Sequence, residues 1–110
     1  MKTWTSETAD ARFSSWIRAR DPICRRCGRR PSSDASHFFE RGNSATRYDP
    51  ENVDGICRIC HNFFHGDRRE YTAFKIYQLG LGRFNAMRMR AGSTMKRDEA
   101  IIGLMKMING

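Results

Sequence analysis

All four cysteines and all three histidines of the chain fall between Cys24 and His65, in the stretch CRRCGRRPSSDASHFFERGNSATRYDPENVDGICRICHNFFH. The cysteines form two Cys-x-x-Cys pairs, Cys24/Cys27 and Cys57/Cys60. Their separation is too long for one turn and right for a small folded insert between two knuckles that clamp one Zn²⁺. Four thiolates complete a tetrahedral shell and leave no open position for water, so such a zinc is structural and any catalysis has to come from elsewhere. The imidazoles of His37, His61 and His65 are left over, and they are the side chains able to move a proton near neutral pH or to ligate a second ion.

The elements that position these groups follow from local pattern. Ser6 to Arg20 carries Ala9, Phe13, Trp16 and Ile17 at helical spacing, with Thr5 or Ser6 as N-cap and Asp21-Pro22 as a stop. The spacing of Phe13 and Trp16 matches one buried stripe, which favours core packing over base stacking. Cys24-Arg25-Arg26-Cys27-Gly28 has the form of a knuckle, with glycine free to take the left-handed conformation that follows. Ala35 to Phe39 is a short strand with His37 on the face of Ala35 and Phe39. Glu40 to Asn52 reads as a loop carrying Arg41 and Arg47, and Val53 to Ile56 as a second strand. A helix begins near His61, where His61 and His65 share a face, and Gly66 ends or kinks it before Arg68 to Gln78. Tyr71, Phe74, Tyr77 and Leu81 form the apolar stripe of the next helix, broken near Gly80 and Gly82. A short helix covers Arg83 to Arg90. After a break and cap at Ala91-Gly92-Ser93-Thr94, Ile101, Leu104, Met105 and Ile108 mark a last helix, whose stripe is either core or a dimer seam.

At 110 residues one domain is expected, and so small a core gains from a metal staple. The formal charge is +8, and sixteen of the twenty basic residues are arginine, whose planar fork grips phosphate oxygens in pairs. Arg25, Arg26, Arg29 and Arg30 crowd the first knuckle. A polyanionic partner follows, with Arg41 and Arg47 as further phosphate contacts or solvated surface. The first residues lack a signal-type apolar run and no stretch approaches the ~20 apolar residues of a membrane span. A soluble, cytoplasmic protein with no membrane partner is therefore expected, and in that compartment paired Cys-x-x-Cys motifs favour zinc over disulfides.

His37, Asn52 and His61 occur in the order strand, loop end, helix start. From about Cys24 to His65 the chain resembles the ββα-metal (HNH) nucleases. With Trp16 to Asp21, Cys24-x-x-Cys27-Gly28, Ser36-His37-Phe38, Arg41-Gly42, Arg47-Tyr48-Asp49 and Asn52, it looks like the NinG/Rap-type recombination endonucleases of lambdoid phages, and more distantly like phage recombination endonuclease VII. The likeness covers most of the chain and is loosest in the carboxy-terminal third.

The resemblance implies an α+β fold: a Cys₄-zinc-supported ββα-metal core at residues 24–66, an N-terminal helix at 1–23 and C-terminal helices at 67–110 with dimer contacts. It implies that His37 is the general base, that Asn52 pins the loop so the imidazole is oriented, and that His61, with His65 next in line, ligates a catalytic ion. The family's usual metal-binding aspartate before the base is Ser36 here, so Asp34, Asn62, phosphate or water would complete the ligand set. Oxygen-rich coordination would suit Mg²⁺ or Mn²⁺, and two histidines would shift preference towards Zn²⁺ or Ni²⁺. The expected activity is hydrolysis of DNA to 5′-phosphate and 3′-hydroxyl ends, on branched or junction DNA, by a homodimer in a phage-infected host cytoplasm. Blander readings stand beside this one: His37 as a buried structural histidine, Asn52 as a turn residue, and His65 as the close of a helix. The rival for the whole chain is a non-catalytic zinc-finger protein that binds nucleic acid, and a third reading is a zinc-stapled protein adaptor.

Overall fold

The computed structural model describes residues 2–110, so Met1, the first residue of the expected domain, lies outside the described residues. The described residues form an α+β fold of six helices and one two-stranded sheet. Helix α1 spans Ser6–Arg20 and opens on Thr5, whose hydroxyl accepts from the Thr8 amide at 3.2 Å. Its stripe of Ala9, Phe13 and Ile17 is buried, with the Trp16 ring stacked parallel to Phe13, as packing rather than base stacking requires.

Strand β1 (Asp34–His37) pairs antiparallel with β2 (Val53–Ile56), with Asp34 opposite Ile56 and His37 opposite Val53. The expected strand thus starts and ends earlier, because at Phe39 the backbone N–H and C=O are taken by the Asn52 side chain instead of a strand partner. Between the strands lies α2 (Ser44–Arg47), a single turn where a loop was expected. The next helix, α3 (Arg58–Gly66), begins three residues before His61, because Cys57 itself is the N-cap and the knuckle leads straight into the helix. Asp67 ends α3 and caps α4 (Arg68–Leu79), its carboxylate accepting from the Glu70 amide at 3.1 Å.

On α4 the buried face is Tyr71, Lys75 and Leu79, not the expected Tyr71-Phe74-Tyr77-Leu81 stripe; Tyr77 is 92% exposed. Lys75 Nζ donates to Asp54 on β2 at 3.0 Å and to Gln78 Oε1 at 2.6 Å, and this partnership turns the helix. Gly80, at φ +79, breaks the chain into α5 (Leu81–Ala91), which includes Gly82 in its first turn. Helix α6 (Arg97–Asn109) is capped at Lys96 rather than at Thr94.

Two apolar clusters divide the interior. One gathers Phe38, Ile56, Phe64, Tyr71, Phe84 and Met87 with Cys24, Cys57 and Cys60. The other joins α1 to α6 through Phe13, Ile17, Val53, Ile101 and Leu104. Strand β2 contributes to both, Ile56 to the first and Val53 to the second, while Ala35 of β1 packs on the second. No helix of the described residues is long and apolar enough to cross a membrane.

Candidate functional site

The sulfur atoms of Cys24, Cys27, Cys57 and Cys60 all lie within 4.8 Å of one another, and the four residues are positioned to bind a metal ion. Edges of this length suit a tetrahedron of thiolates, whose sulfurs around an ion at about 2.3 Å would stand about 3.8 Å apart. The first knuckle is drawn tight by the Gly28 amide on the Cys24 carbonyl at 2.9 Å and by a β-bridge from Ile23 to Pro31, and Gly28 takes φ +68. The Arg29 amide aimed at its sulfur holds the Cys27 thiol down to about 6. Likewise the Cys60 amide lowers Cys57, whereas burial pushes Cys60 itself up to about 12.

Arginines complete this centre. Arg26 Nη1 lies 3.4 Å from Cys60 Sγ with its guanidinium 3.9 Å from the Phe63 ring centroid, and Arg30 Nη1 lies 3.9 Å from Cys27 Sγ. Two of the arginines expected to meet nucleic acid therefore also offset thiolate charge. Arg25 sits 3.6 Å from both Asp21 and Asp54, and Arg29 is exposed.

A cavity of about 270 Å³ opens on another side of the sheet, lined among others by His37, His61, Asp34, Asp10, Arg41 and Arg58. The strand histidine and the helix histidine thus share one concavity. His37 directs Nε2 to the Arg47 carbonyl at 2.8 Å; a carbonyl can only accept, so Nε2 carries the proton and Nδ1 keeps its lone pair. Burial is the main cause that holds the His37 pKa below its ordinary value, so the ring is neutral at pH 7. His61 points Nδ1 at Asp34 Oδ2, 2.8 Å away, which leaves Nε2 as its free nitrogen. Asp34 Oδ1 also accepts from Arg58 Nη2 at 3.2 Å; although burial opposes it, His61 first and then Ser33 and Arg58 hold its carboxyl below the usual range.

Asn52 is fully buried and spends both amide donors and its carbonyl oxygen on the loop after β1. Its Oδ1 accepts from the Phe39 amide at 2.8 Å, and Nδ2 donates to the Phe39 and Thr46 carbonyls at 3.0 and 2.9 Å. An uncharged amide is the side chain that can do both at once.

Other expected site residues stand elsewhere. His65 is exposed and does not line the cavity, and Asn62 is likewise exposed and outside it. Ser36 is buried with its hydroxyl 2.8 Å from the Tyr71 hydroxyl, so it faces the interior. Arg47 is 8% exposed and forks onto Asp10, so it is a structural clamp rather than a free phosphate contact. Arg41 is exposed at the cavity rim. Asp10 and Arg58 were not singled out by sequence reading. Helical phase alone puts Asp10 beside the buried Phe13 stripe, and Arg58 stands three residues before His61, on the same helix face.

Comparison of the chain with protein families, with characterised proteins and with solved structures finds no match.

Proposed function

We propose that the protein is a metal-dependent DNA endonuclease of the ββα-metal (HNH) type, supported by a zinc ion in the Cys₄ centre. The observation that carries this reading is that one basic-rimmed cavity holds a neutral imidazole with a free Nδ1, a second imidazole with a free Nε2, and an ionised carboxylate between strand and helix.

Each part has a task. His37 Nδ1 is the base that takes the proton of the attacking water, and its neutrality at pH 7 suits that role. Asn52 holds the loop that follows His37, and with it the carbonyl-bearing segment that orients the ring. His61 Nε2 would hold the catalytic ion, with Asp34 fixing the tautomer from behind in the carboxylate–histidine manner. With His65 outside the cavity the chain would offer one imidazole nitrogen, and phosphate and water oxygens would complete the set, a mixture that would favour Mg²⁺ or Mn²⁺ over Zn²⁺ or Ni²⁺. When bound, such a cation neutralises charge growing on the phosphate and on the leaving 3′-oxygen. Arg41 and Arg58 grip the flanking phosphate oxygens. Attack by water at phosphorus with departure of the 3′-oxygen gives 5′-phosphate and 3′-hydroxyl ends.

By its resemblance, the substrate is branched or recombination-intermediate DNA of a phage, and symmetric cutting of a junction calls for two active sites, hence a homodimer. The test is to incubate plasmid and four-way junction DNA with the protein and Mg²⁺ or Mn²⁺, and then with His37→Ala. Metal-dependent nicking that the alanine variant loses supports the enzyme. Salt-sensitive binding without nicking leaves the non-catalytic zinc-finger reading, and no DNA affinity leaves neither.

A further inference from the structure

We propose that Asp10, on α1 and outside the strand–strand–helix unit, is a positioning residue that sets the His37 imidazole through the peptide joining Arg47 to Tyr48. This rests on the reading of His37 as the base.

The argument is one of tethers. The Arg47 carbonyl that receives the His37 Nε2–H belongs to a peptide with a side chain on either side, and both of those side chains are tied to Asp10. Arg47 forks onto the carboxylate, Nε to Oδ1 at 3.1 Å and Nη2 to Oδ2 at 2.7 Å, while Nη1 donates to the Arg41 carbonyl at 3.1 Å. The Tyr48 hydroxyl donates to Asp10 Oδ1 at 2.8 Å. Helix α2, which ends at Arg47, is one turn long, and a single turn gains little from its own hydrogen bonds. The carbonyl is therefore held from two directions, by Asn52 on the neighbouring Thr46 carbonyl and by the carboxylate of another helix.

The same contacts give a use to an ion pair that is only partly exposed, Arg47 buried and Asp10 half-buried. Apolar residues of similar size would stabilise the fold as well or better, but they would not fix the direction of a carbonyl. Phe13, next to Asp10 in helical phase, supplies the face: its ring lies 6.2 Å from that of His37 and 5.5 Å, edge on, from that of Tyr48. The charged or titratable groups around His37 are Asp10 from α1, Arg41 and Arg47 from the loop and α2, and, in the same cavity, Asp34, Arg58 and His61.

The experiment uses the full, metal-loaded chain with ¹⁵N-labelled histidine. In the wild type, His37 is expected as a single neutral tautomer with the proton on Nε2. Asp10→Asn keeps the shape and removes the charge-assisted fork. It is expected to give a mixture of tautomers at His37 and, on cleavable DNA, to lower kcat on the order of 10- to 100-fold with KM little changed, as small misplacement of a reacting group does. Tyr48→Phe removes one tether only and is expected to act in the same direction but less. It also serves if Asp10→Asn fails to melt cooperatively. A wild-type His37 protonated on Nδ1, or variants that keep the wild-type tautomer and kcat, would overturn the proposal. If the wild type cuts no DNA, the enzyme reading fails, and the tautomer measurement still decides whether Asp10 orients the ring.

Discussion

His61 and Asp34 meet at 2.8 Å, imidazole Nδ1 to carboxylate Oδ2, across the gap between the first strand and the third helix. The pairing selects one nitrogen of His61 for the cavity and holds it there. Replacing Asp34 by alanine frees the ring and also releases Arg58. The expected outcome is a 10- to 100-fold higher Mg²⁺ or Mn²⁺ requirement for cleavage, read by titrating the ion at fixed DNA, with the Cys₄ centre unaffected.

Acid should act in two stages. Burial lowers the folded pKa of His37 below 6.5, so the unfolded chain binds the proton first; stability contributed by the neutral ring is full above about 6.5 and is lost as pH falls through the depressed value. Cleavage, which needs the same neutral ring, should stay flat through 6.5 and fall only as the pH drops through the depressed value. Burial raises each of Asp10, Asp21, Asp34 and Glu51, yet all four are held below their ordinary values, Asp34 chiefly by its bond from His61 and the other three chiefly by arginine partners. Their contribution is present above about 4 and lost as pH falls further. Thermal melts at pH 7, 5 and 3 should show a modest loss followed by a larger one.

Removal of the Cys₄ ion is expected to dissolve the cluster around Phe64 and Tyr71, since Cys24, Cys57 and Cys60 are part of it. A strong chelator, or Cys57→Ala, should release one tightly held ion per chain and abolish the cooperative melt, because binding energy in such centres is folding energy. The measurement is metal release followed alongside near-ultraviolet circular dichroism.

The Lys75–Asp54 pair, both partners 1% exposed or less, gives a separate test. Lys75→Met leaves Asp54 to Gln78 and the more distant Arg25, and should cost about 3–5 kcal/mol by urea denaturation. Adding Asp54→Asn should recover part of that loss, the signature of a stranded charge rather than of lost volume.

Much of this architecture was written locally. The two knuckles, the paired strands and a helix at the second knuckle follow from cysteine spacing, alternation and turn residues, although that helix starts at Arg58 and not near His61, and Gly80 breaks the chain where glycine was expected to. What escaped depends on partners far along the chain. A lysine in the middle of α4 does not advertise burial; only Asp54, twenty-one residues earlier, makes it cheaper to bury Lys75 than Tyr77. Helix α2 is too short for any periodicity to show. Asp10 looks like an ordinary surface residue until Arg47 and Tyr48, some forty positions later, fold back upon it. His65 sits one turn after His61, yet the helix turns it out to solvent.

Gly55 sits against the end of α1 with no room to spare: a methyl group there would come within 2.7 Å of Asp21 Cβ and 3.0 Å of the Asp21 carbonyl, and its amide donates to Asp21 Oδ2 at 2.8 Å. Helix and strand are in effect one riveted plate. The wall that Asp10 and Phe13 give the cavity cannot swing outward as a door without shearing that joint. On the nuclease reading proposed above, a nucleic-acid strand would enter along the open rim marked by Arg41 and Arg58, and any adjustment to its shape would fall to those two exposed side chains rather than to the scaffold.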